Sequence, residues 1–548
     1  MRRGLIALLT AGLAITGPAV ASPAHATPAH PAPAHPAPAA RSSVVPPPVA
    51  FHPCASPALK AAGADCGTVQ VPLNHDRPTG PTIDLAISRV KHDPSVPYQG
   101  IMLVNPGGPG GSGLGLSRLG ATVPHGAGKG YDWIGFDPRG VGASEPSLHC
   151  VDGYAGYDRP AYTPDDPHAE AAWLARSRAY AASCGVRGAD LLRHLRTVDS
   201  ARDMDSIRLA LGAGQLNYYG FSYGTYLGAV YATLFPQHVR RMVFDGVIDP
   251  RGVWERANYS QDTAFETSIG VFFAWVARHD AVYHLGTSEA AVRRVYDQQE
   301  QALRHSPAGG KIGSSEWNDI FLQAGYYVFN WEQIASAFST WVNRHDARGL
   351  LALYPKPGDD NEYAVYLGVQ CTDAHWSRYP AFRRENREEA RHAPFETWAN
   401  AWYNAPCSSW PAPAGTPTRI DGHAAPPILL VSETKDAATP FTGALAVRSR
   451  FPRSALVEGV GGTTHAGTLA RSPGFGSPCE NDAVASYLAD GTLPARKSGN
   501  RSDQQCAPIP QPNPTALRTP GQKPAAAATT TTPVPPSPAP SPQSAGPG

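Results

Sequence analysis

Near the middle of the chain, Gly220-Phe221-Ser222-Tyr223-Gly224 spells G-x-S-x-G. A serine hydroxyl is a poor nucleophile at neutral pH and works only beside a base that is itself oriented by a carboxylate. Two glycines flanking a serine at this spacing suit a tight strand-to-helix turn that lifts the hydroxyl above a sheet edge; larger side chains two residues away would collide. The partners come later in the chain, as Asp436 in Glu433-Thr434-Lys435-Asp436-Ala437-Ala438-Thr439-Pro440 and His465 in Gly461-Gly462-Thr463-Thr464-His465. Ser222, His465 and Asp436 together could carry out acyl transfer through a covalent intermediate. Asp245, at the end of the strand after the serine, is the rival carboxylate.

Acyl transfer also needs donors for an oxyanion. The loop Asn105-Pro-Gly-Gly-Pro-Gly-Gly-Ser-Gly113 has few side chains to hold a substrate off its backbone. An N–H of Gly107 or Gly108 is therefore expected to pair with that of Tyr223, at the positive end of the following helix. The loop lacks the Gly-Lys-Ser/Thr ending of a phosphate cradle. Asp137-Pro-Arg139 is expected to order a cleft wall or to form a structural ion pair.

These residues need a frame. Leu216 to Phe221 reads as a buried strand, and Leu227, Val230, Tyr231 and Leu234 recur at helical spacing after it. Ile101 to Val104, Trp133 to Phe136, Arg241 to Asp245, Ile428 to Ser432 and Ala455 to Glu458 are further short apolar runs, and helical patterns lie between several of them. Strand alternating with helix predicts a mostly parallel sheet with helices on both faces. Residues 67–72 and 83–90 alternate as antiparallel strands do. From 250 to 424 the pattern turns helical and rich in Trp and Tyr, which predicts an inserted lid over the cleft. The core is thus expected over 51–249 and 425–507.

With 46 Lys plus Arg against 45 Asp plus Glu, the chain of 548 residues offers no electrostatic reason to bind nucleic acid or an anionic membrane. Met1-Arg2-Arg3, an apolar run and Ala-x-Ala sites predict a signal peptide over 1–26, and no other apolar stretch is long enough to span a membrane. Residues 27–50 read as a Pro/Ala-rich linker or pro-segment, and 508–548 as a disordered tail. The even count of cysteines fits an oxidising compartment. Pairing neighbours in sequence gives Cys54 with Cys66, Cys150 with Cys184, Cys371 with Cys407 and Cys479 with Cys506, although eight cysteines allow roughly a hundred pairings. No metal or cofactor is expected.

The phrases NPGGPGGSG (105–113), DPRGVGAS (137–144), GFSYGTYLG (220–228), Asp436-x-x-Thr-Pro and the late His465 resemble the secreted tripeptidyl aminopeptidases of streptomycetes, in the proline iminopeptidase branch of the α/β-hydrolases. Thr397-Trp-Ala-Asn-Ala-Trp402 and the cysteine layout share the resemblance. It implies a secreted serine exopeptidase, with or without attachment to the cell wall, that removes tripeptides or similar units from free peptide N-termini; the sequence does not show the oligomeric state, and a monomer is the expectation. It assigns Ser222, Asp436 and His465 to the triad and Gly107, Gly108 and Tyr223 to the oxyanion loops. An aminopeptidase must also anchor the substrate's ammonium with an acid. Glu266, Asp262, Asp373 and Glu433 are the candidates. An esterase or lipase on the same fold, and a non-catalytic binding protein of the cell surface, are the alternatives.

Overall fold

A computed structural model of the protein describes residues 45–354, 360–469 and 476–518. The expected signal peptide, most of the linker and the tail beyond 518 lie outside the described residues.

Ten strands form one sheet: β1 (His52–Pro53), β2 (Asp65–Pro72), β3 (Thr82–Val90), β4 (Gly100–Asn105), β5 (Tyr131–Phe136), β6 (Leu216–Phe221), β7 (Val239–Asp245), β8 (Leu429–Glu433), β9 (Ala455–Gly459) and β10 (Gln504–Cys506). They lie in the order β1-β2-β3-β5-β4-β6-β7-β8-β9-β10. The pairs from β1 to β5 through β2 and β3 are antiparallel, and all the others are parallel. A parallel sheet covered on both faces needs apolar residues at successive positions. The central strands meet that need in alternation: Leu103, Tyr218, Phe244 and Leu430 point into one core, and Val104, Tyr219, Val243 and Val431 into the other.

Between β7 and β8 the chain leaves the sheet to build the helical insertion. Glu255–Arg278, Ser314–Tyr326 and Trp331–Arg344 bury Phe272, Trp275, Trp317, Phe321, Trp331 and Phe338 in a core of their own. Most of the insertion's aromatic richness is thus spent on packing. All eight cysteines are in disulfides, Cys54–Cys66, Cys150–Cys184, Cys371–Cys407 and Cys479–Cys506. Among the described residues no helix is long and apolar enough to cross a membrane.

The sequence places the start of a disordered tail at Pro508, but residues 508–518 run across the insertion. Ile509 is buried in its core, the Trp275 indole N–H donates to Pro512 O at 2.9 Å, Arg278 donates to Gln511 at 2.7 Å, and Arg518 pairs with Glu332. Composition hides this because the contacts come from single residues, among them Ile509, Gln511, Leu517 and Arg518, scattered between prolines. Ending the chain at Ala507 is expected to destabilise it by about 2–3 kcal/mol, the worth of one buried isoleucine and a few hydrogen bonds less the entropy of ordering the strap. A thermal melt of the truncated protein checks this.

Candidate active site

Ser222 sits between β6 and the helix Tyr223–Leu234, with φ 54° and ψ −125°. That strained turn is held from three sides. A Cβ on Gly220 would stand 2.5 Å from Gly224 O, so the two ends of the turn meet only without a side chain there. The Ser222 N–H donates to Asp245 O at 2.9 Å, and the Tyr218 hydroxyl donates to Gly224 O at 2.8 Å. The loop after β4 closes over the turn: a Cβ on Gly107, at φ +96°, would stand 2.8 Å from Ser222 Cβ.

Asp137 fastens that loop by accepting from Ser112 Oγ at 2.6 Å and from the N–H groups of Gly113 and Ala143. Arg139 is structural, fully buried and bidentate to Asp203 with both contacts at 2.7 Å. The two glycines expected to serve an oxyanion differ. Gly107 N–H is already engaged, donating to Asn105 Oδ1 at 3.0 Å, and only Gly108 lines the cavity with Ser222 and Tyr223. Tyr223 opens its helix, where a backbone N–H has no intrahelical acceptor. Of the two glycines, Gly108 is therefore the one that shares the cavity with Tyr223 and Ser222.

His465 follows β9 and Asp436 follows β8. The His465 Nδ1 contacts both Asp436 oxygens, at 2.8 and 3.0 Å, and both side chains are buried. The Thr439 hydroxyl donates to Asp436 Oδ2 at 2.7 Å and its N–H to Oδ1 at 3.0 Å. Saturated this way, the carboxylate has one orientation to offer the imidazole. His465 stands beside the serine turn: Gly246, next to the Asp245 carbonyl that holds Ser222, would bring a Cβ within 3.0 Å of His465 Cε1. The ring also packs edge-on against Tyr326, which lines the Ser222 cavity. Asp245 is not the histidine's partner, since its carboxylate accepts from Thr468 N–H and hydroxyl and so ties down the loop after His465.

A cavity of about 250 Å³ opens above Ser222, walled by the insertion. None of the four acids proposed from sequence lines it. Glu266 pairs with Arg293 and accepts from Phe395 N–H at 3.0 Å. Asp373 is consumed by Thr197 and by the Trp254 indole, a brace behind Tyr223. Glu433 is buried behind the His465 loop against Glu480, and burial pushes it up to about 8. Asp262 lies one layer back, pushed up to about 8 by burial, and accepts from Asn400, which does line the cavity.

The carboxyls that do face the cavity are Glu396, Asp319 and Glu362. Glu396 is 6% exposed and its Oε2 meets no hydrogen-bond partner. Burial, then the charges of Asp262 and Asp319, hold it well above the usual carboxylate range. Its sequence signal is its place directly before Thr397-Trp-Ala-Asn-Ala-Trp402, and the Glu266 contact to Phe395 fixes the backbone that presents it. Asn258 Nδ2 and Gln370 Oε1 are also without partners and belong to cavity-lining residues. The cavity thus offers an amide donor, an amide acceptor and a carboxyl, all unspent.

Comparison with known proteins agrees with this architecture. Residues 100–467 match the model of the alpha/beta hydrolase fold family. The chain belongs to the α/β-hydrolases. A tripeptidyl aminopeptidase of Streptomyces lividans is 41% identical over 471 residues, covering 82% of this chain and 84% of that protein. Serine protease Hip1 of Mycobacterium tuberculosis is 30% identical over 482 residues, covering 82% and 90%. Carboxylesterase B of the same species is 32% identical over 475 residues, covering 81% and 86%. Within the α/β-hydrolases this chain is a serine hydrolase resembling the peptidases among these relatives.

Proposed function

We propose that the protein is a secreted serine aminopeptidase that releases tripeptides or similar short units from peptides with a free N-terminus. Ser222 is the nucleophile, His465 the general base and Asp436 its orienting acid. His465 Nε2 takes the Ser222 proton as Oγ bonds to the scissile carbonyl carbon. The resulting oxyanion rests on the N–H groups of Gly108 and Tyr223. His465 returns the proton to the departing amine, the C–N bond breaks, and water then cleaves the acyl-enzyme by the same route.

The observation that carries the peptidase reading is the Glu396 carboxyl, its Oε2 unpartnered, in the same cavity as Ser222. A buried acid without a donor is costly unless a ligand satisfies it, and an α-ammonium does so with charge and three N–H groups. The unspent amides of Asn258 and Gln370 match a peptide group's acceptor and donor. An ester's acyl chain has use for none of these, although an esterase relative keeps that reading within the test. The disulfides support export to an oxidising compartment.

Free and N-acetylated forms of one peptide p-nitroanilide separate the two readings. Strong loss on acetylation is expected, and equal rates would refute the ammonium anchor. Glu396→Gln should raise KM for the free peptide by roughly a hundredfold, the usual cost of removing one partner of a buried charge pair. Because burial lifts Glu396 well above the usual carboxylate range, binding an ammonium there expels the carboxyl's proton wherever the empty cavity still holds it. KM should therefore fall as pH rises, until the substrate's own amine loses its charge near pH 8. Glu396→Gln should flatten that slope.

A further inference from the structure

A second, larger cavity of about 550 Å³ adjoins the first. Tyr162, Asp319, Glu362, Ala399 and Tyr403 line both, so they frame a window between the two. The inner cavity, about 250 Å³, falls just below the roughly 300–1,000 Å³ typical of ligand sites, enough for peptide backbone and small side chains. Longer side chains need the outer chamber, and Ala399 is the one small residue on the frame. Tyr403 leaves 44% of its surface bare there, unusual for a ring in so crowded a region.

The chamber's charge is lopsided. Among the described residues its one cation is Arg159, held by Glu316 at 3.1 Å and Asp319 at 2.6 Å, with the hydroxyls of Tyr162 and Tyr354 on the same guanidinium. Two acids thus offset that charge, and Asp360 and Glu362 add negative groups to the wall. Asp360 is fixed in place by the N–H groups of Cys150 and Val151 and by the Tyr180 hydroxyl. Aromatic faces supply the rest: Tyr363 lies 4.5 Å from Tyr403 between ring centroids, and Trp173 stacks on Trp402. Acids amid aromatic faces suit a cation on an apolar stem, a form that lysine and arginine share.

We propose that the outer chamber is a side-chain subsite that selects lysine or arginine at one position of the released unit, through the window framed by Ala399, Tyr403 and Glu362. This rests on the peptidase reading above. Its methylenes would cross the window and its charge would sit before Glu362 and Asp360.

The test is a set of tripeptidyl p-nitroanilides in which Lys, Arg, Phe or Glu replaces Ala at each position in turn. Wild-type protein should prefer Lys and Arg over Glu at one position by tenfold or more, about the worth of one partly desolvated cation–π or charge contact. Glu362→Gln should shrink that ratio, and Ala399→Leu should lower Lys, Arg and Phe together relative to Ala; thermal melts confirm that each variant is folded. Phe matching or exceeding Lys, a flat profile, or ratios unmoved in both variants would overturn the proposal. Equal cleavage of free and N-acetylated trialanyl p-nitroanilide would instead sink the ammonium anchor alone, and the lysine scan on the blocked series would still judge the chamber.

Discussion

Ser222→Ala is expected to lower kcat roughly a millionfold on any peptide substrate, the loss seen when the nucleophile of such a triad is removed. Residual catalysis, from the Gly108 and Tyr223 donors and from binding, should stay above the uncatalysed rate. Stability should barely change, because alanine keeps the Cβ that already occupies φ 54° and the serine side chain makes no cap hydrogen bond. The wild-type protein should also take up one organophosphate at Ser222, visible as a mass shift on the peptide spanning the turn, and the variant none. Normal turnover in the folded variant would remove the assignment and, with it, the acyl-enzyme.

Much of the frame around that serine can be read from sequence because its signals are local. A continuous apolar run such as Leu429 to Val431 has few uses other than a buried parallel strand, and glycines on both sides of Ser222 have few uses other than a tight turn. The order of partners after β8 and β9 follows from the same logic. What sequence does not reveal depends on contacts between distant segments. Gly107 looks equivalent to Gly108 until Asn105 Oδ1 is seen to occupy its N–H. Glu266 and Asp373 have the right charge, yet Arg293 and Thr197 claim them from elsewhere in the chain. Glu396 escapes notice because an acid before a helix reads as an ordinary cap, and only the folded insertion turns it inward without a partner. The strap 508–518 is hidden for a related reason, since its proline-rich composition tells nothing of the grooved surface that receives it.

Asp436→Asn should cost about 10⁴-fold in kcat with little change in fold. The size follows from tautomers. An imidazole facing the Asp436 carboxylate at 2.8 Å is expected to keep its proton on Nδ1 and leave Nε2 free to accept from Ser222. Thr439 already donates its hydroxyl and its N–H to the two Asp436 oxygens, so an asparagine there would most readily keep its Oδ1 toward Thr439 and turn its amide N–H toward His465. That N–H needs an acceptor on Nδ1, which moves the imidazole proton to Nε2, where it cannot take another from the serine. The defect should therefore ease as pH rises and hydroxide or a serine alkoxide bypasses the base, so the ratio of wild-type to variant kcat falls between neutral and alkaline pH. Asp245→Asn supplies the contrast. Its carboxylate grips Thr468 rather than His465, so its loss should shift the position of the histidine loop and cost far less at neutral pH, without that alkaline recovery. Rate profiles of the two variants that coincide would mean that the imidazole takes its orientation from β7 and not from β8.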